Sequence, residues 1–437
     1  MFSVITGSLF NAQGSALLVL SSKEDGVTEF LHVITADQLM RLLGRFARLS
    51  SQRIPLEASL NRILAKDLLA PEDLPEQARS TVDGFAVRAE DTFGASEANP
   101  ALLALTATVP MGVMPDFDIH PGQAAQISTG GFLPRGTDAV VMIEYTNAVD
   151  SKSIEVTRPV TIRMNVIERG EDAQCGEILI RAGRSLRPQE VGFLAALGIT
   201  DISVFKCPRV AVISSGDEII PVSQKPEPGQ IRDANGYALS ALVRTAGAEP
   251  IPSGIVPDDA GMLAAAISRG LTQADVVAIS GGSSVGTRDL MVEVISGLPG
   301  AEILAHGVSI RPGKPTLLAN QKGKAIFGLP GHPVSALIVA QVFLVPFLLY
   351  LQGGKLEMGP RGHTVEAKLA TSIHSVIGLE EFVRVRLEST PDGGYVAHPI
   401  FGKSGMLSTM VKAGGIIRIP MNTEGFFKGD LVPVINL

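Results

Sequence analysis

A chain of 437 residues exceeds one ordinary hydrophobic core, so several domains are expected. Its 45% apolar and 19% charged residues describe a soluble globular protein and exclude a disordered one. A formal charge of −7 with no basic run excludes the footprint of a nucleic-acid binder, and two cysteines, Cys175 and Cys207, without CxxC spacing exclude a disulfide framework and favour the reducing cytoplasm.

Residues 1–33 read as an irregular N-terminal extension, with no basic segment ahead of the short Ala16–Leu20 run and hence no signal peptide. From Thr35 to Leu49 the apolar spacing predicts a helix, and RIPLEASLNRILAKDLLAPEDLP predicts a second, with Leu56, Leu60, Ile63 and Leu64 as its packing stripe. Short runs broken by Gly and Pro then predict an inserted β-rich domain over 74–166, containing the buried strand Ala139–Ile143. Residues 167–205 return to helix, with Pro188 near its start and Gly198 near its end. The segments 34–73 and 167–205 are expected to fold together as one discontinuous helical domain.

Over 206–357 strands and helices alternate, the signature of an α/β sheet with crossover helices. Val276–Ile279, Ala301–Leu304 and Ala325–Phe327 are short apolar runs that stop at glycine-rich turns, as strands buried on both faces do. The apolar segment Val334–Leu351 follows a Gly-Pro turn, contains Gln341 and Pro346 and lacks charged flanks, so a buried helix is expected and not a membrane span. Residues 358–437 alternate in β fashion and form a small C-terminal β domain.

The turns carry the chemistry. Gly281 and Gly282 let main-chain amides approach an anion, and Ser283 and Ser284 add hydroxyl donors. Asp289 and Lys314 supply one charge of each sign, so the cluster reads as a site for a phosphate-bearing ligand with a metal. The Ser215-Gly216-Asp217-Glu218 turn holds either a hard cation or an ordinary helix cap, and Asp258-Asp259 has the same two readings. In Arg311-Pro312-Gly313-Lys314-Pro315 two prolines fix the backbone around two cations, which suits an oxyanion better than a plain solvated turn. Pro330 and Gly331 lead through His332 into the apolar helix, where an anion is favoured and the histidine is a ligand or a structural residue. The GSSVG stretch lacks the Walker lysine, which disfavours a nucleotide-hydrolysing P-loop.

RSTVDGFAV, ISTGGFLPRGTDAVVMIE, RGEDAQCGE, AVISSGDEI, GQIRDANGY, GIVPDD, SGGSSVGTRD, RPGKP and GLPGHPVSA occur in one order. From Ile34 to Leu437 the chain thereby resembles the molybdopterin molybdenumtransferase family, the MoeA proteins and the related E domain of gephyrin. The resemblance implies an elongated, L-shaped four-domain subunit: a molybdopterin-binding-like α/β sandwich, a helical segment, the β-rich insertion and a small C-terminal β-barrel-like domain. It implies a homodimer whose site lies between the sheet domain of one subunit and the β-rich domain of the other. The implied reaction takes adenylylated molybdopterin and molybdate, releases AMP and leaves the metal on the dithiolene, with Mg²⁺ as helper; molybdopterin adenylyltransferase is an implied partner.

Residue by residue, Asp83 and Thr129 fall on the family's DGYA-like and TG motifs, and Asp172 on RGED. Glu218, Asp258 and Asp289 fall on acidic motifs that hold Mg²⁺ or orient the attacking oxygen. Gly281, Gly282, Ser283 and Ser284 are implied to cradle phosphate, Arg311 and Lys314 to neutralise it, and Pro330, Gly331 and Ser408 to complete the substrate site. Phe85 stands in place of the usual tyrosine, Val82 of methionine, Arg311 of lysine, Gly307 of another lysine and His332 of asparagine, which leaves tungstate open as the inserted oxyanion. Two rival functions remain at this point: a scaffold that binds without turnover, and the adenylylation step.

Overall fold

The computed structural model describes the backbone of residues 9–10, 16–19, 30–31, 33–281, 285–359 and 363–437, and side chains from residue 33 onward except at 282–289 and 360–362. It resolves into two compact units, residues 1–53, 61–65 and 203–437 in one and 54–60 and 66–202 in the other. The finer division into a helical segment and three further domains is retained as a proposal.

Helix α1 (Ala36–Leu43) opens on a capping box, in which the Thr35 hydroxyl accepts the Gln38 amide at 3.2 Å and the Gln38 side chain accepts the Thr35 amide at 2.8 Å. It ends at Gly44, earlier than its apolar spacing suggests, and buries Leu39 and Leu43. The second expected helix does not form. Ser51–Pro55 is a strand paired with Asp201–Phe205, and only Leu56–Ala58 makes a short 3₁₀ turn. The amides that a helix would satisfy internally find distant carbonyls instead: Leu56 donates to Thr200 at 2.8 Å and Ala65 to Ser203 at 2.9 Å. The stripe accordingly splits, with Ile63 and Leu64 buried and Leu60 exposed.

In the smaller unit, strands β1 (Gly84–Val87), β2 (Ala101–Thr108), β3 (Gln123–Ile127), β4 (Ala139–Met142), β5 (Thr146–Asp150) and β6 (Ser153–Val156) form one sheet in the order β4-β1-β3-β2-β6-β5. Side chains alternate along β1: Phe85 and Val87 enter one core with Leu103 and Val141, and Ala86 enters another with Ile127 and Val140. Helix α2 (Pro188–Ala196) has Pro188 in its first turn and is followed by Gly198 at φ +68°, as its sequence requires.

Glu190 of α2 is buried and gathers two arginines: it accepts from Arg187 Nη2 at 2.6 Å and Arg184 Nη2 at 2.7 Å, and from the Arg187 amide at 3.0 Å. The Arg187 contact, above all, pulls its pKa from 4.5 to about 2. A depressed folded-state pKa contributes stability that is complete above the unfolded value and disappears as pH falls through the folded one. Glu190→Gln should therefore lower stability by on the order of 2–3 kcal/mol at pH 7, and the deficit should shrink to less than half by about pH 3. Urea midpoints of both proteins at the two pH values check this. An equal deficit at both would show that packing, not charge, is what Glu190 contributes.

The larger unit is built on strands β7 (Arg209–Ser215), β8 (Glu249–Val256), β9 (Val276–Gly281), β10 (Ala301–His306), β11 (Leu317–Gln321) and β12 (Lys324–Leu329), in the order β8-β7-β9-β12-β11-β10. The first four in that order are parallel, β11 runs antiparallel to both of its neighbours, and the edge strand β10 therefore shares the direction of the first four. Alternate residues face two cores. Val210, Val212, Val276, Ala278 and Phe327 pack with α1, α3 (Ala234–Thr245) and the helix from Pro333, while Ala211, Ile213, Val277 and Ile279 pack with α4 (Ala260–Gln273) and α5 (Val285–Gly297). This three-layer burial explains the uninterrupted apolar runs. The apolar segment Pro333–Leu351 is long enough to cross a membrane but is 83% buried inside this core.

Strands β13 (Thr364–Leu369), β14 (Glu380–Ser389), β15 (Tyr395–Pro399), β16 (Gly415–Ile419) and β17 (Leu431–Asn436) form a barrel in the order β14-β15-β13-β17-β16, closed because β14 pairs with both β15 and β16. Closure removes exposed edges from a short β chain.

Candidate functional site

The chain leaves β7 through α3 towards β8 on one side, and leaves β9 through α5 towards the other. Adjacent strands whose connections diverge make a topological switch point, and the crevice at their carboxyl ends is where ligands bind in open α/β sheets. Here β7 and β9 are those strands. Ser215 pairs with Gly281, and a Cβ on Gly281, whose φ is +149°, would lie 2.0 Å from the Ser215 carbonyl oxygen. Only glycine fits this approach. Gly282, Ser283 and Ser284 lie outside the described residues, as does the side chain of Asp289, whose backbone is in α5.

Carboxylates gather at the same end of the sheet. The Ser215 hydroxyl donates to Asp258 Oδ1 at 2.9 Å, and the Asp258 amide donates to Asp217 Oδ1 at 3.1 Å. Asp217 and Glu218 are exposed in the turn after β7, and Asp258 is half-buried after β8. Asp259, not Asp258, caps α4, accepting the Met262 amide at 2.8 Å. The helix-cap reading of that acidic pair therefore belongs to Asp259. Among the described residues no three of His, Cys, Asp or Glu converge as a metal centre. An all-oxygen pair of carboxylates nevertheless fits Mg²⁺, which keeps several waters and takes one or two carboxylates beside substrate phosphates.

The basic turn is held from three sides. Gly307 donates to Thr316 at 2.9 Å, Val308 to Lys314 at 2.9 Å, and the Thr316 hydroxyl to Gly313 at 2.6 Å. Gly313, at φ +119°, packs so tightly that a Cβ would lie 2.4 Å from Val339. Ile310–Arg311 pairs with Glu380–Glu381 of the barrel, and Arg311 faces Glu381 at 3.6 Å. The half-buried Lys314 ammonium has no ion pair or hydrogen bond among the described residues. The backbone is fixed and the cation is available.

His332 Nδ1 lies 3.0 Å from the Ser404 hydroxyl, and the Val334 amide donates to the Ser404 carbonyl at 3.1 Å. This favours the structural reading of the histidine, which ties the start of the apolar helix to the barrel. Ser408 is exposed at the start of the short helix Ser408–Val411.

In the smaller unit Asp83 and Thr129 meet, with Asp83 Oδ1 accepting the Thr129 amide at 2.7 Å and its hydroxyl at 3.2 Å. Asp83-Gly84 is not a hairpin turn: Gly84 begins β1, and a Cβ there would collide with the Val141 carbonyl at 1.9 Å. Asp172 is exposed, and its amide donates to Leu74 at 2.9 Å. Its neighbours Asp73, Arg169 and Cys175 form the bonded part of that turn. The Cys175 amide at 2.8 Å and then Arg169 at 2.7 Å hold the Asp73 carboxyl below the usual range.

Sequence reading missed Asn235, Ser280 and the Ser214–Asp233 pair. Asn235 Nδ2 donates to Ser280 Oγ and to the Gly331 carbonyl, each at 2.7 Å, while the Ser280 hydroxyl reaches the Pro330 carbonyl at 3.4 Å. Ser214 Oγ donates to Asp233 Oδ1 at 2.8 Å, and that oxygen also accepts the Gly236 amide at 2.8 Å as the cap of α3. The DANGY stretch reads locally as a helix start, and nothing nearby announces partners 45 and 96 residues away.

Family models match most of the chain: "MoeA N-terminal region (domain I and II)" over residues 32–198, "Probable molybdopterin binding domain" over 211–350 and "MoeA C-terminal region (domain IV)" over 366–437. A protein of Methanocaldococcus jannaschii named for molybdopterin biosynthesis is 35% identical over 88% of this chain and 91% of its own. A molybdopterin molybdenumtransferase of Staphylococcus aureus is 30% identical over 91% and 94%. The crystal structure of a molybdopterin biosynthesis MoeA protein from Pyrococcus horikoshii matches with a TM-score of 0.81 at 30% identity, covering 93% of this chain and 100% of that one.

Proposed function

The chain belongs to the MoeA family, whose curated members are named molybdopterin molybdenumtransferase, and from that premise we propose that it inserts molybdate into adenylylated molybdopterin with release of AMP. A transferase of molybdenum cofactor biosynthesis is the coarser statement that the family supplies. The observation that carries the finer one is the crevice between β7 and β9. There a close-approach glycine, Gly281, adjoins the carboxylates Asp217, Glu218 and Asp258. A diphosphate ester needs main-chain amides and cations against its negative oxygens, and carboxylates to hold a metal.

Each side chain then has a task. Gly281 admits the phosphates to the amides at the start of α5, whose helix dipole favours them, and Gly282, Ser283 and Ser284 are assigned to the same cradle. Lys314 and Arg311 neutralise phosphate or molybdate, Arg311 bidentately. Asp258 and Glu218, with Asp289, would hold Mg²⁺, which supplies charge neutralisation at the phosphate oxygens when bound. Pro330 and Gly331 shape the crevice wall, and Ser408 is assigned to substrate binding from the barrel side. Asp172 is assigned to substrate binding from the RGED turn, and Asp83 and Thr129 act from the β-rich part of the second subunit of a homodimer. Support for that last step is the motif order together with an exposed Asp83–Thr129 pair that no core packing requires. We place the protein in the cytoplasm, where its free thiols Cys175 and Cys207 persist, and assign it a molybdopterin adenylyltransferase as upstream partner.

Purified protein given adenylylated molybdopterin, Mg²⁺ and molybdate should release AMP in a molybdate-dependent way, and EDTA should abolish release until Mg²⁺ is restored. Binding without AMP would identify a scaffold. Consumption of ATP with free molybdopterin would identify the adenylylation step, and faster AMP release with tungstate would change the oxyanion. Indifference to EDTA would remove the metal from the reading.

A further inference from the structure

Asn235 is buried at the second position of α3, and its amide orientation is fixed by chemistry. The Gly331 carbonyl only accepts, so the atom facing it at 2.7 Å must be the NH₂ group. The same group donates to Ser280 Oγ, whose own hydrogen points on to the Pro330 carbonyl at 3.4 Å. Both amide hydrogens are therefore used, one tying α3 to Ser280 in the last residues of β9 and the other to the segment that follows β12. Asn235 Oδ1 is buried with no hydrogen-bond partner among the described residues. A buried acceptor without a donor forfeits the hydrogen bond it would make to water in the unfolded chain, so a fold that keeps one calls for a donor from elsewhere.

We propose that Asn235 is a substrate-binding residue whose Oδ1 accepts a hydrogen bond from an N–H or O–H group of adenylylated molybdopterin. The proposal rests on the functional reading above and narrows it. A lone acceptor oxygen repels phosphate and molybdate oxygens, so Asn235 addresses the neutral, donor-bearing ends of the substrate. The donor is an amino or ring N–H of the pterin half, or a ribose hydroxyl or amino group of the nucleotide half. Because its other hydrogen bonds fix it to Ser280 at the carboxyl end of β9 and to Gly331, Asn235 would align that donor with the same crevice that takes the phosphates.

AMP and molybdopterin, used separately as probes of wild type, Asn235→Ala and Ser280→Ala, decide the matter. Asn235→Ala should weaken one probe about tenfold and the other less than about twofold, and the probe affected names the half that is held. Ser280→Ala loosens the same turns but keeps Oδ1, and should weaken either probe by less than about threefold. Parallel losses in both variants for both probes would overturn the proposal, because they would make Asn235 a purely structural residue. Should Asn235→Ala fail to fold, wild-type crystals soaked with each probe decide instead. A probe nitrogen or oxygen within hydrogen-bond distance of Oδ1 supports the assignment, and a water retained there with both probes overturns it. Wild-type AMP release is run alongside: its absence sinks the function itself, whereas normal release with unchanged Asn235→Ala affinity sinks only this inference.

Discussion

Gly281→Ala should lose at least about a hundredfold in AMP release, along with ~3 kcal/mol or more of stability. The added Cβ would sit 2.0 Å from the Ser215 carbonyl oxygen, and both atoms belong to backbone in paired strands, so neither swings aside. At φ +149° an L side chain is strained whatever the space. Relief requires β7 and β9 to part at their carboxyl ends. That displaces Ser215 from Asp258 and moves the turn meant to face phosphate, and a shift of about 1 Å at a reacting centre costs on the order of a hundredfold. Gly297→Ala, at the end of α5 where a Cβ meets open space, is the control and should change stability by less than about 1 kcal/mol. AMP release and thermal midpoints of both variants test this. Wild-type turnover in Gly281→Ala would remove the close approach from the site.

Much of this site was legible because it hangs on buried parallel strands. Val276–Ile279 reads as a strand from composition alone, so the turn after it falls at a sheet end whatever the rest of the chain does. The order of short motifs already pointed to the family that the matched regions show. Where reading failed, distant partners overrode local pattern. Residues 51–65 have helical spacing, yet their amides pair with carbonyls in 200–205, and Ile63 and Leu64 are buried without any helix. Such pairing is invisible to a window of eleven to eighteen residues. Asn235 was hidden for the same reason. By contrast, the two prolines of Arg311-Pro312-Gly313-Lys314-Pro315 did mark a rigid turn, because proline limits the backbone locally.

Lys314→Ala should reduce turnover by about a hundred- to a thousandfold, the scale set by losing one preorganised group that faces developing negative charge. The Val308 amide holds the Lys314 carbonyl, the Thr316 hydroxyl holds that of Gly313, Gly313 is locked against Val339, and no carboxylate among the described residues neutralises the ammonium. Arg311 differs, being partly satisfied by Glu381 at 3.6 Å, so its removal should cost less. Lys314→Arg should recover part of the loss, since charge is restored but not its point-like placement. The same variant tests the shared site. In a twofold dimer the sheet domain of one subunit would work with Asp83 of the other, so Asp83→Asn subunits and Lys314→Ala subunits are each inactive alone. Randomly mixed, half the dimers are hybrid, and one of the two sites in each hybrid has both residues intact. Mixing should therefore recover about a quarter of wild-type AMP release, whereas a site built within one chain would recover none.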